Sequence, residues 1–189
     1  MFLGDYLHNI QSDYKKFFFS GISFNSNKTV KDNIFFAIKG NKIDGTNFIP
    51  HAIKNGAKII ITEHENEGLK NNILYIKTKN IRKLLAEISF KIYNKIPKNI
   101  IAVTGTNGKS SVADFYYQIL KLNNKEVASI GTLGVKSKNI NLNLPNTTID
   151  PIKLSQILTR LKNNNVENVI METSSHGLKQ NRIDGLKFN

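Results

Sequence analysis

Between residues 105 and 111 the chain reads Gly-Thr-Asn-Gly-Lys-Ser-Ser, at the end of an apolar stretch and ahead of a helical pattern. Gly105 and Gly108 let the backbone turn sharply and approach a ligand, and the helix that follows offers unpaired amides and the positive end of its dipole. Lys109 supplies a cation for terminal phosphates, and Ser110 supplies a hydroxyl for a magnesium ion bound to them. These residue types in this order point to a nucleoside triphosphate. The competing reading is a glycine turn ahead of an ordinary helix. The loop departs from the common G-x-x-x-x-G-K-[ST] pattern, because Val103 stands five positions before Gly108 and Thr104 four, so it is not the generic NTPase loop.

Such a loop needs a strand to deliver it and a helix to carry it away. Residues 99–105, NIIAVTG, form a nearly continuous apolar run, as a strand buried on both faces would. A helix is expected from Lys109 to about Leu122, then a strand and loop over 126–134. Asp150 and Pro151 suit the N-cap and first position of another helix, with Leu154, Ile157, Leu158 and Leu161 on one face. Residues 167–173, ENVIMET, are the next strand.

Upstream, the runs 33–39, 58–62 and 73–77 read as strands, with a helical pattern over 48–57 between the first two. Ile81, Leu84, Leu85 and Ile88 recur at helical spacing, so residues 80–94 form a helix with one buried face. Pro97 stops it, and a domain boundary is placed near 95–99. Strands separated by crossover helices imply parallel sheets with ligands at the strands' carboxyl ends. The fold class is therefore α/β.

Composition sets outer bounds. At 189 residues the chain can bury one ordinary core or two small ones. It has no cysteine, which excludes disulfides and thiolate metal sites and fits a reducing compartment. The N-terminus carries Asp5 and Asp13 and does not read as a signal peptide, and no window has the apolar length of a membrane span. A cytoplasmic protein is expected. The formal charge of +13 favours anionic partners, but the lysines are scattered among asparagines and isoleucines, and no zinc-finger spacing or RNA-binding strand signature accompanies them. We expect neither nucleic acid nor membrane as a partner.

The sequence GTNGKSS resembles the ATP loop of the Mur ligase family, which also includes the folylpolyglutamate synthetases. METSSHGLKQNRIDGLKF at 171–188, NTTID at 146–150 and NSNKTVKDNIFFAIKGNKIDGTNFIPHAIKNGAKIIIT at 25–62 are similar to further segments of that family, in family order and over nearly the whole chain. The resemblance implies a small N-terminal α/β domain for a uridine nucleotide over 1–96. An incomplete P-loop-type parallel-sheet domain with crossover helices would follow over 97–189. It implies ATP-dependent amide ligation in peptidoglycan synthesis, with diaminopimelate or lysine added to UDP-N-acetylmuramoyl-L-alanyl-D-glutamate through an acyl phosphate. ATP would sit on Gly105, Thr106, Asn107, Gly108, Lys109, Ser110 and Ser111, with Lys109 and Glu172 catalytic. Mg²⁺ would take Ser110 and Glu172 as ligands. The substrate would be held by Ser26, Asn146, Thr147, Thr148, Ser174, Gln180 and Arg182. His176 falls in the matching motif without an assigned role. In isolation Glu172 or His176 would read as a satisfied structural polar group, and the two threonines as loop residues.

Two departures are local. Asn25-Ser26-Asn27 stands where the family usually has Asp-Ser-Arg, leaving Ser26 to hydrogen-bond the uridine without an arginine beside it. Ser110-Ser111 replaces a common threonine pair and keeps both hydroxyls. A third is larger. The family's central domain continues with further Mg²⁺ ligands and a lysine that is usually carbamylated, and a C-terminal domain binds the incoming amino acid. From this we expect a chain that binds but does not turn over by itself, and an open sheet edge at ENVIMET. Other readings are a folylpolyglutamate synthetase relative, a non-catalytic nucleotide-binding remnant, or a basic protein that binds nucleic acid.

Overall fold

The computed structural model describes residues 1–40 and 43–189. The chain divides into two compact units, Met1–Leu85 and Ala86–Asn189. Each is built on one mostly parallel sheet, as the apolar runs of the sequence require.

The first unit's sheet has the order β1-β2-β3-β5-β4, from β1 (Gly21–Ser23), β2 (Asn33–Phe36), β3 (Ile59–Thr62), β4 (Gly68–Lys70) and β5 (Ile73–Lys77). Only β4 runs antiparallel, against β5. Every residue of β2 and β3 is buried, and the apolar runs 34–36 and 59–61 within them are what burial on both faces leads one to expect. Helix α1 (Ile49–Lys54) contributes Ile49 and Ala52 to a core with Phe35, Ala37, Ala57, Ile60 and Ile73. Helix α2 (Ile81–Ile92) follows, with Ile81, Leu85 and Ile88 buried and Leu84 partly exposed.

The second unit's sheet has the order β6-β10-β7-β8-β9. Its strands are β6 (Asn99–Val103), β7 (Val127–Gly131), β8 (Gly134–Lys136), β9 (Asn141–Leu142) and β10 (Asn168–Glu172). Helix α3 (Lys109–Leu122) links β6 to β7, and α4 (Pro151–Asn163) leads to β10. Asp150 Oδ1 caps α4 by accepting from Lys153 N at 2.9 Å, and Pro151 occupies the first turn. Leu154, Ile157, Leu158 and Leu161 enter one core with Ala128, Ile130, Val169 and Met171. Short α5 (Ser175–Lys179) follows β10.

Three sequence expectations are corrected. ENVIMET is not the sheet's edge: β10 pairs in parallel with β6 on one side and β7 on the other. The edge is β6; separately, NIIAVTG is not buried on both faces, since only Ile100 of β6 is fully buried. The second sheet is not wholly parallel, because β8 pairs antiparallel with both β7 and β9.

Candidate functional site

The parallel register aligns Glu172, at the end of β10, with Val103, at the end of β6. The glycine loop leaves β6 at that same carboxyl end, where open parallel sheets place ligands. Gly108 adopts φ +80, a left-handed conformation that side chains other than glycine's rarely take, and forms the N-cap of α3. Gly105 also has positive φ, at +148. Lys109 Nζ donates to Gly105 O at 2.7 Å and Thr106 O at 3.3 Å, so the cation lies over the loop. Thr106, Asn107 and Ser111 are exposed around it.

Ser110, the second residue of α3, donates its hydroxyl to Glu172 Oε2 at 2.9 Å across a separation of 62 residues. Glu172 is 3% exposed, and a carboxylate so buried must be paired or hydrogen-bonded. Two further donors serve it: Thr132 N reaches Oε1 at 3.1 Å and Thr132 Oγ1 reaches Oε2 at 3.0 Å. Sequence reasoning missed Thr132. Its partner lies 40 residues away, which leaves no local signal.

Thr132 Oγ1 also lies 2.9 Å from Thr147 Oγ1, which ties the carboxylate to the NTTID loop. The neighbouring Thr148 accepts from Ser174 N at 2.9 Å. Ser174 Oγ in turn caps α5 by accepting from Gly177 N at 3.0 Å. Arg182 Nη1 donates to Thr148 O, and its Nε and Nη2 both donate to Gln180 Oε1, at 3.0 and 2.7 Å. Gln180 Nε2 and His176 Nε2 lie 2.7 Å apart, which gives His176 a partner inside the motif. Ser110, Glu172 and Thr147 thus belong to one hydrogen-bonded group through Thr132, and Thr148, Ser174, Gln180 and Arg182 to another, the two joined by the peptide bond between Thr147 and Thr148. Asn146 is exposed beside it.

Ser26 lies in the first unit. Asn25 Oδ1 accepts from Asn27 N at 3.0 Å and opens a 3₁₀ turn over Ser26–Lys28. Ser26 is 5% exposed, with its Oγ 3.0 Å from His51 Nδ1 and its carbonyl accepting from Asn55 Nδ2 at 2.8 Å. His51, on α1, is a second residue the sequence reading did not single out.

Ser110 Oγ and Glu172 Oε2 are hard oxygen donors close enough to share a cation. That is the donor set of magnesium sites that draw their other ligands from phosphate and water. Among the described residues there is no cluster of three or more His, Asp or Glu side chains able to hold a metal without such help. No helix among them is long and apolar enough to cross a membrane.

Comparison with known proteins gives the same picture. One family model, "Mur ligase family, catalytic domain", matches residues 19–93. Another, "Mur ligase middle domain", matches residues 103–189. Curated relatives include the UDP-N-acetylmuramoyl-L-alanyl-D-glutamate--2,6-diaminopimelate ligase of Rickettsia prowazekii, 39% identical over 186 residues, 96% of this chain and 38% of the relative. The enzyme of that name from Wigglesworthia glossinidia brevipalpis is 39% identical over 188 residues, with 95% and 38% covered. The chain therefore spans about 38% of the length of these relatives. A solved structure of a ligase of that name superposes with TM-score 0.85 and 28% identity, covering all of this chain and 39% of that one. MurF ligase from Thermotoga maritima, solved in complex with ADP, shares the fold at TM-score 0.50 and 22% identity, covering 82% of this chain and 32% of its own. With both of its units matched in family order, and with the glycine loop seated against a buried acid, the chain belongs to the Mur ligase family.

Proposed function

We propose that this chain carries the UDP-muramoyl-peptide and nucleotide sites of a ligase that adds diaminopimelate to UDP-N-acetylmuramoyl-L-alanyl-D-glutamate. Residues 1–96 would bind the uridine nucleotide through Ser26, and residues 97–189 the nucleotide and the muramoyl peptide. The observation that carries the reading is the 2.9 Å contact between Ser110 and Glu172, which joins the glycine loop to a buried carboxylate beside the threonine loop. The names of the relatives supply the amino acid.

In this reaction the γ-phosphoryl group of ATP passes to the free side-chain carboxylate of D-glutamate, giving an acyl phosphate and ADP. The amine of the incoming amino acid attacks the acyl carbon, and phosphate leaves with its bonding electrons. Bringing polyanions together demands positive charge and oriented donors, because phosphoryl transfer is catalysed mainly by positioning and electrostatics. Lys109 and the amides at the start of α3 meet that demand at the phosphates. Ser110 and Glu172 would hold Mg²⁺, whose charge would offset that of the phosphates. Thr147, Thr148, Ser174, Gln180 and Arg182 would bind and orient the muramoyl peptide, Arg182 presenting its guanidinium to an anionic group.

Titration calorimetry of the purified chain tests the reading. Mg·ADP and UDP-N-acetylmuramoyl-L-alanyl-D-glutamate should both bind, and Lys109→Ala should weaken nucleotide binding by about tenfold, roughly 1.4 kcal/mol. A folded chain that binds neither ligand would overturn it.

A further inference from the structure

Thr132 follows the last residue of β7 and opens the turn into β8. It makes three contacts: its amide to Glu172 Oε1 at 3.1 Å, its hydroxyl to Glu172 Oε2 at 3.0 Å, and the same hydroxyl to Thr147 Oγ1 at 2.9 Å. A threonine hydroxyl has one proton to give and two lone pairs, whereas a carboxylate only accepts. The proton of Thr132 therefore goes to Glu172. The contact with Thr147 must then use the proton of Thr147, and the lone pairs of Thr147 remain for another partner. Both oxygens of Glu172 are gripped by one residue, one through the backbone and one through the side chain.

We propose that Thr132 is a positioning residue that clamps the Glu172 carboxylate and, through the direction of its single proton, makes Thr147 a hydrogen-bond acceptor. The group that Thr147 recognises in the bound substrate is then a donor, an amide N–H or a hydroxyl, and not a carboxylate or phosphate oxygen. This last consequence rests on the muramoyl-peptide reading above. The clamp and the proton direction rest on geometry alone.

Thr132→Val keeps the shape and the amide but loses the hydroxyl, and Thr132→Ser restores it. Three-bond NMR couplings of the full chain report the Thr147 rotamer. In Thr132→Val these should move to the values of an averaged rotamer, while those of buried Thr173 stay fixed, and Thr132→Ser should return Thr147 to its wild-type value. An unchanged Thr147 rotamer in Thr132→Val overturns the proton direction assigned to the Thr132–Thr147 contact.

Ligand binding supplies an independent arm. Affinity for ADP without metal should stay within about twofold in Thr132→Val, and the gain on adding Mg²⁺ should fall by about tenfold, the usual scale for a lost hydrogen bond to a charged group. Equal losses with and without Mg²⁺, or no recovery in Thr132→Ser, would mark a merely structural role and overturn the proposal. If the wild-type chain binds neither nucleotide nor UDP-muramoyl dipeptide, the functional reading fails, while the couplings still decide the Thr132–Thr147 contact.

Discussion

Glu172 can sit almost wholly out of water because Ser110 and Thr132 bring three donors to it, and because Gly131 leaves it room. A Cβ built on Gly131 would fall 2.1 Å from Glu172 Oε1. The backbone of Gly131 is not left-handed, so Gly131→Ala strains no dihedral angle there, but its Cβ would also fall 2.5 Å from Glu172 Cδ and 2.6 Å from Cγ and would force the buried carboxylate away from its donors. The expected outcome is a lowered melting temperature together with loss of Mg²⁺-dependent nucleotide binding. Retention of the metal effect in a magnesium titration would contradict it. Lys109, Ser110 and Glu172 could be singled out in the sequence as candidates because each lies in a motif whose neighbours draw attention to it. Thr132 and His51 could not. Each meets its partner 40 or 25 residues away, and nothing in the adjacent residues distinguishes them from ordinary surface positions.

Among the elements, those long enough to show a period could be read in advance. Helix α4 displayed its start signal and its buried face together, and both are found: Asp150 caps Lys153 N, and Leu154, Ile157, Leu158 and Leu161 are 3% exposed or less. Asp150→Ala should cost about 1 kcal/mol of stability, measured by urea unfolding, because the first-turn amide loses its acceptor and alanine offers none. A loss near zero would mean that solvent satisfies that amide equally well. The strands β1, β4, β8 and β9 were not read, since two or three residues cannot display an alternation. The burial of β6 was misread for a different reason. An apolar run reports how hydrophobic a strand is but not what packs on its faces, and the strand order that leaves β6 at the edge depends in addition on a crossover to β10.

At the scale of the whole molecule, the sequence reading places a boundary near residues 95–99, and the compact units divide between Leu85 and Ala86. It did not announce how apolar the outer face of α3 is. Val112, Phe115, Ile119 and Leu122 recur at helical spacing and are 49%, 63%, 58% and 82% exposed, while Ala113 and Tyr117 on the opposite face are buried. A continuous exposed apolar stripe favours association and dye binding. The double variant Phe115→Glu, Leu122→Glu should bind less of an apolar fluorescent dye, and its unfolding free energy should change by no more than about 0.5 kcal/mol, as at other exposed positions. A much larger destabilisation would mean that these side chains are packed.

The insertion of β10 between β6 and β7 also governs the order in which the second unit can assemble. The β7–β8–β9 meander joins residues close in sequence and can form as soon as its turns exist. Asn99, by contrast, waits for Asn168, 69 residues later, before β6 gains a neighbour on that side. Closing so long a loop costs entropy before any contact repays it. On a ribosome the glycine loop would therefore emerge early and remain unanchored for most of the unit's synthesis, acquiring its shape only when the strand that carries Glu172 slides into the gap.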